Sequence, residues 1–322
     1  MGDSAFAGAH PVDVAVAWLS RRSKLFSRGW GDEALLTSLS QRLSYAAAPP
    51  PICVQWRPPD KRGRILLRDG TFTSPLEILP SETSMAHVRA RSTGGNTTAC
   101  VILAASRDEG YRVREHVFGS LVGRGIDLYL LENPFYGLRR TAAGPSLATF
   151  CDQALQSVGM VWEARALLEY LRSSYEKLVV AGYSMGGHMA AIAAAVCPFP
   201  LACAALATGA SAAPIYTRGL LSWSVDLDAL AGESRLRSAA RERLQHLIEA
   251  SDITRHAPPI RADAAIIAGC TRDGYVLRTE IQRLHEHWPG STLRWIRAGH
   301  ISALLTSRRA LCDAIADSAA KL

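Results

Sequence analysis

From residue 99 to its end, this 322-residue chain alternates short apolar runs with longer helix-forming stretches. The runs are Cys100–Ala104, Leu128–Leu131, Leu178–Ala181, Leu201–Leu206, Ala264–Ala268 and Thr292–Ile296. Each is too short for a stable helix and suits a strand, and apolar runs of this kind are expected in a parallel sheet, where strands are buried on both faces. The stretches Gly159–Ser173, Gly186–Val196, Arg278–Trp288 and Ile301–Lys321 have helical composition and separate most of the runs. Alternation of this kind predicts an α/β fold with a doubly wound, mostly parallel sheet.

Upstream of residue 99 the pattern differs. The Pro-rich stretch Ala48–Pro51, followed by Pro58-Pro59, sets off a helical N-terminal arm (residues 1–50) from the main domain (residues 51–322). Arg64–Ser74 reads as a hairpin turning at Asp69-Gly70, and Met85–Arg91 as a further strand. Within the main domain, Ile215–Pro258 interrupts the alternation with polar, helix-prone sequence that carries Trp223 and several leucines. An insertion before the last two strands would lie over the carboxyl edge of the sheet as a lid. An ordinary surface excursion is the alternative.

Composition narrows the partners. Hydrophobic residues make up 48% and charged residues 20%, as in ordinary globular chains. The net charge is +7, yet only Lys24, Lys61, Lys177 and Lys321 are lysines; the other basic residues are arginines scattered along the chain. With no basic run interleaved with aromatics, no nucleic-acid partner is expected. The seven cysteines are dispersed without a CxxC pair, which reads as reduced, buried thiols in the cytoplasm. No window of 18 apolar residues offers a spanning helix. The apolar stretch Val14–Leu19 follows Asp3 and Asp13 and precedes Arg21, Arg22, Lys24 and Arg28, the wrong order for a secretory signal. Phe6 stands where a myristoylation motif needs Ser or Thr. The basic arm is the ground for peripheral membrane contact, and for a membrane-associated or mitochondrial location as the alternative. Oligomeric state leaves no trace in the sequence.

The sharpest local signal is Gly182-Tyr183-Ser184-Met185-Gly186, a GxSxG match between the run Leu178–Ala181 and a helical stretch. That context is the one a nucleophile elbow requires. The serine sits on a tight strand-to-helix turn, its neighbours two residues away must be small, and the helix N-terminus faces developing negative charge. A serine needs a base, and in chain order Ser, acid, His, the fitting histidine is His300, which follows a strand run. His285 and His287 lie within a helical stretch and His246 and His256 within the lid segment. His10, His87 and His116 precede the serine, and His188 falls on the helix leaving the elbow, where it should face packing or a cap. The acid that orients the base is assigned to Asp273, just after the run Ala264–Ala268. Asp226 and Asp228 are alternatives, whereas Asp263 lies at the wrong end of its strand.

One oxyanion donor should be the backbone N–H of Met185, and the second that of Ala105 or Ser106, in the loop after Val101–Ala104. Phe135 and Tyr136, past the end of the run Leu128–Leu131, could line an acyl pocket, with Trp223 contributing from the lid; shaping a tight turn is the alternative reading of the 132–137 segment. The chemistry needs neither metal nor cofactor.

Several blocks in order resemble the α/β-hydrolase-domain-containing protein 18 family: 24–31 (KLFSRGWG), 131–137 (LENPFYG), 182–190 (GYSMGGHMA), 288–290 (WPG) and 299–303 (GHISA). The resemblance spans nearly the whole chain. It implies the α/β-hydrolase fold, places nucleophile, acid and base at Ser184, Asp273 and His300, and suggests a lipid or other acyl ester as substrate. Two departures stand out. Where the family loop reads Leu-Ala-Gly-Thr-Gly-Asp, this chain has Ala105 and Arg107 in place of the glycines, and its lid segment is short. Ester hydrolysis is therefore the leading expectation. Acyl transfer or thioester cleavage by the same residues, and a non-catalytic binding protein of the same fold, are the alternatives.

Overall fold

Each of the six apolar runs forms a strand. In the computed structural model, which describes residues 8–42, 47–141 and 147–322, the strands are β1 (Gln55–Trp56), β2 (Asp60–Arg62), β3 (Ile65–Thr73), β4 (Met85–Ser92), β5 (Thr98–Leu103), β6 (Ile126–Leu131), β7 (Lys177–Tyr183), β8 (Ala202–Leu206), β9 (Ala265–Cys270) and β10 (Thr292–Ile296). They make one sheet in the order β1-β3-β4-β6-β5-β7-β8-β9-β10, with β2 also paired to β3. From β6 to β10 every pairing is parallel, while β4 runs antiparallel to both β3 and β6. This is the α/β-hydrolase fold.

The parallel strands carry Val, Ile, Leu and Ala because helices cover both of their faces. On one face lie α3 (Arg112–Phe118) and α11 (Arg308–Ala320); on the other lie α4 (Phe150–Leu171), α5 (Met185–Ala195) and α9 (Arg278–His287). Val101, Ile102, Val179, Val180, Ile266 and Ile267 are wholly buried between them. Removing a side chain of that size from water contributes about 1.5–3 kcal/mol.

The stretch read as a hairpin at Asp69-Gly70 is instead one continuous strand, β3. Gly70 is there because the Trp56 ring lies over it: a Cβ would sit 2.7 Å from the ring. Asp69 stays in the strand because the Arg89 guanidinium grips its carboxylate from β4 at 2.7 and 2.9 Å. Helix α4 starts well before the expected Gly159, at a Thr149–Asp152 capping box. The expected helix Ile301–Lys321 breaks at Ser307 into α10 (His300–Thr306) and α11.

The segment expected to form a lid folds into α6 (Ala213–Thr217), α7 (Leu227–Ala231) and α8 (Arg237–Glu249) with short 3-10 turns between them. The N-terminal stretch packs against this segment and the loops that carry Asp273 and His300. Its helix α1 (Pro11–Ser20) touches the turn Leu220–Ser224 and α10, and α2 (Glu33–Arg42) touches α4. Between them, Leu25 pairs with Val225, and the carbonyls of Gly29 and Trp30 accept the N–H groups of Phe150 and Cys151. Six of the cysteines are buried, and Cys53 is exposed. Among the described residues, no helix is long and apolar enough to cross a membrane.

Candidate active site

The chain runs from β5 to its neighbour β6 and then crosses back to β7 on the other side of β5, so the loops after β5 and β7 meet at a switch point. Ser184 occupies the turn after β7 with φ 56° and ψ −121°, a backbone region that costs a non-glycine residue of order 1–3 kcal/mol. The surrounding structure imposes it. The Ser184 N–H donates to the Leu206 carbonyl at 2.8 Å, and α5 begins at the next residue. The flanking glycines permit the crossing: a Cβ on Gly182 would lie 2.3 Å from the Gly186 carbonyl, and one on Gly186 2.3 Å from the Leu103 oxygen.

Two further loops bring the partners. His300 heads α10, and its Nε2 accepts the Ser184 hydroxyl at 2.9 Å, while its Nδ1 faces Asp273 Oδ2 at 2.8 Å. The second oxygen of Asp273 accepts the N–H groups of Tyr275 and Val276 at 2.8 and 2.9 Å, which fixes the carboxylate. The Tyr183 hydroxyl donates to the His300 carbonyl, and the Tyr275 ring lies 4.9 Å from the imidazole. Burial alone pulls the His300 imidazole down; the charge and hydrogen bond of Asp273 more than reverse this, and Asp13 adds in the same direction. The result is a histidine more basic than usual.

The alternatives lie elsewhere. Asp226 caps α7 by accepting the Ala229 N–H, Asp228 pairs with Arg237, and Asp263 pairs with Arg261. His188 does reach the site, but its ring nitrogens face the carbonyls of Gly209 and Ser251 at 3.3 and 2.9 Å. Burial holds it below the usual histidine value. It ties α5 to the end of the lid.

A model of the family described as alpha/beta hydrolase domain containing 18 matches residues 23–237 and 232–321 of this sequence. The chain belongs to this family. Solved structures support the fold. An acetyl xylan esterase from Paenibacillus sp. R4 aligns over 90% of this chain and 98% of its own, with TM-score 0.58 and 15% identity. Acetyl xylan esterase 1 from Thermoanaerobacterium sp. JW/SL YS485 covers 94% and 99%, with TM-score 0.55 and 12% identity. A Pyrococcus furiosus esterase covers 86% and 92%, with TM-score 0.51 and 13% identity.

In this family member the segment 132–137 does not line the site. Phe135 and Tyr136 are buried behind the loop after β5, and Trp223 lies on the outer surface of the lid, so none of the three borders the cavity at Ser184. Three side chains of the segment brace that loop instead. Glu132 accepts the Gly110 N–H at 2.9 Å, Asn133 donates to the Ala104 carbonyl at 3.3 Å, and the Tyr136 hydroxyl accepts the Arg107 N–H at 3.1 Å. Arg107 holds a positive φ of 66°, so the left-handed turn survives without a glycine there. Met185 and Ser106 border the cavity beside Ser184, whereas Ala105 does not.

The cavity borders Ser184 and is partly open to solvent. Its walls are mostly apolar and come from α2 (Leu36, Leu39), α4 (Phe150, Ala154, Val158) and the lid (Ile215, Tyr216, Leu247). Sequence reading missed these residues. Those on α4 share a helix whose other positions are also buried, so periodicity could not mark them, and those on α2 come from the far end of the chain. Polar groups are few: Gln153 accepts the Tyr216 hydroxyl at 3.1 Å and donates to Ser157 at 3.2 Å. Among the described residues, no three His, Cys, Asp or Glu side chains cluster as metal ligands would.

Proposed function

We propose that this protein is a serine esterase that cleaves carboxylic esters with a sizeable apolar acyl group through an acyl-enzyme on Ser184. One observation carries the reading: Ser184 Oγ faces the His300–Asp273 pair on one side and a mostly apolar cavity on the other. As Ser184 Oγ attacks the carbonyl carbon, His300 Nε2 takes its proton, and Asp273 stabilises the imidazolium. The carbonyl oxygen gathers charge at the N-terminus of α5, where the Met185 N–H and that of Ala105 or Ser106 receive it. The imidazolium then protonates the leaving alcohol, and water repeats the sequence to release the acid.

A lipid-like ester fits the apolar walls, and the surface of α1 supports approach from a membrane. Trp18 and Leu19 are 53% and 67% exposed, and the Arg21 guanidinium lies 4.1 Å over the Trp18 ring. The turn beneath them carries half-exposed Trp223, whose carbonyl accepts the Lys24 ammonium. Tryptophan and leucine flanked by Arg21, Arg22 and Lys24 suit an anionic bilayer surface, each basic side chain contributing about 1 kcal/mol there.

The test is labelling by a fluorophosphonate probe in wild type, Ser184→Ala and His300→Ala. Labelling lost in both variants supports the esterase reading, and esters graded by chain length then define the acyl group. A folded wild type that fails to label points to a binding protein. Product analysis with an added alcohol or a thioester separates hydrolysis from acyl transfer and thioester cleavage.

A further inference from the structure

Asp13 lies 287 residues before His300, in the first turn of α1, and is fully buried without an ion pair among the described residues. Its carboxylate is surrounded by backbone N–H groups of the two loops that carry base and acid. Oδ2 accepts the His300 N–H at 2.7 Å and the Gly274 N–H at 3.1 Å, and Oδ1 accepts the Ile301 N–H at 2.9 Å. The first and last head α10; Gly274 directly follows Asp273. Helix α10 begins after Gly299, which has no side chain to cap it, so the carboxylate of a distant helix takes that place.

The surroundings are shaped to admit it. A Cβ on Gly299 would lie 2.7 Å from Asp13 Oδ1 and 2.3 Å from the His10 Cβ. The His10 N–H donates to the Arg272 carbonyl at 2.9 Å, and the Tyr275 hydroxyl donates to the Asp13 carbonyl at 3.4 Å. A helix end alone could be capped by water or by a serine at the cap position. Burying an unpaired carboxylate to reach two catalytic loops at once costs far more than that.

We infer that Asp13 is a positioning residue: it fixes His300 against Asp273 and adds negative charge behind the imidazolium. The role rests on the esterase reading of Ser184. The groups facing His300 are Ser184 and Asp273 at its ring nitrogens, Tyr275 on its ring, the Tyr183 hydroxyl at its carbonyl and Asp13 at its N–H; the Cys270 thiol contacts Tyr183. Of these only Asp273 and Asp13 are carboxylates.

The experiment measures the pH dependence of fluorophosphonate labelling, and kcat and KM on a short p-nitrophenyl ester, for wild type, Asp13→Asn and Asp13→Glu. Asp13→Asn removes the charge and one acceptor oxygen. It should slow labelling and kcat about 10- to 100-fold with KM within about threefold, as small misplacements of a catalytic group do. Because a neutral side chain no longer stabilises the imidazolium, the acid limb of the surviving activity should move to lower pH. Asp13→Glu keeps the charge but lengthens the arm, so kcat should fall while the limb stays in place. Folding is checked by the thermal transition. Should Asp13→Asn not fold, Asp13→Glu carries the test, and a wild-type rate in it overturns the proposal. A folded Asp13→Asn with wild-type rate and limb also overturns it. A wild type that does not label removes the esterase reading itself, a result distinct from either.

Discussion

The Tyr136 hydroxyl accepts the backbone N–H of Arg107 at 3.1 Å, and so a buried phenol sets the path of the loop beside the nucleophile. Tyr136→Phe leaves that N–H without its partner, at a cost of about 1–3 kcal/mol. Urea unfolding should register this loss, and ester turnover should fall with KM little changed. Wild-type turnover in a destabilised Tyr136→Phe would show that the loop does not contribute to the oxyanion side.

The pH profile follows from His300, which is held above the usual histidine value, first against burial and then by Asp273 and Asp13. The base works neutral, so activity is absent below its pKa and rises as pH climbs through it. The acid limb of kcat/KM should therefore have its midpoint above about 6.5. A midpoint clearly below that value would contradict the arrangement.

Strain at the elbow offers a measurement on stability alone. Ser184→Gly and Ser184→Ala both remove the nucleophile, but only glycine adopts φ 56°, ψ −121° without penalty. The glycine variant should melt higher than the alanine variant, by the equivalent of about 1 kcal/mol or more after glycine's larger unfolded-state entropy is subtracted. Equal melting temperatures would mean that the turn carries little strain.

Ala154 borders the cavity from α4. An Ala154→Trp substitution should fill part of that space and cut kcat/KM for long acyl esters at least tenfold while sparing acetyl esters. A uniform loss across chain lengths would place the acyl group elsewhere.

Replacing Trp18 and Leu19 together by serine tests the proposed bilayer contact by co-sedimentation with vesicles rich in anionic lipid. The double variant should lose most of the bound fraction, and raised salt should release the wild type. Binding that is unaffected by both would exclude this face.

The meeting of Ser184, Asp273 and His300 was legible because each follows a short, mostly apolar strand, and such strands announce themselves by composition. Asp13 was not, because an aspartate beside apolar residues in an N-terminal helix looks like a solvated one until His300 is seen above it. Phe135 and Tyr136 admitted two readings for a related reason: a motif at the end of a strand can serve the neighbouring loop as readily as a ligand. The continuity of β3 through Asp69-Gly70 depended on Arg89 and Trp56, partners that lie on other strands and leave no local signal.

The contact between Asp13 and His300 joins residues 287 positions apart in sequence. At roughly 5–20 residues per second, residue 300 is synthesised several seconds after Ser184. Through that interval the growing chain holds Ser184 without His300. On the esterase reading, a chain cut just ahead of α10 keeps Ser184 but lacks the base that activates it.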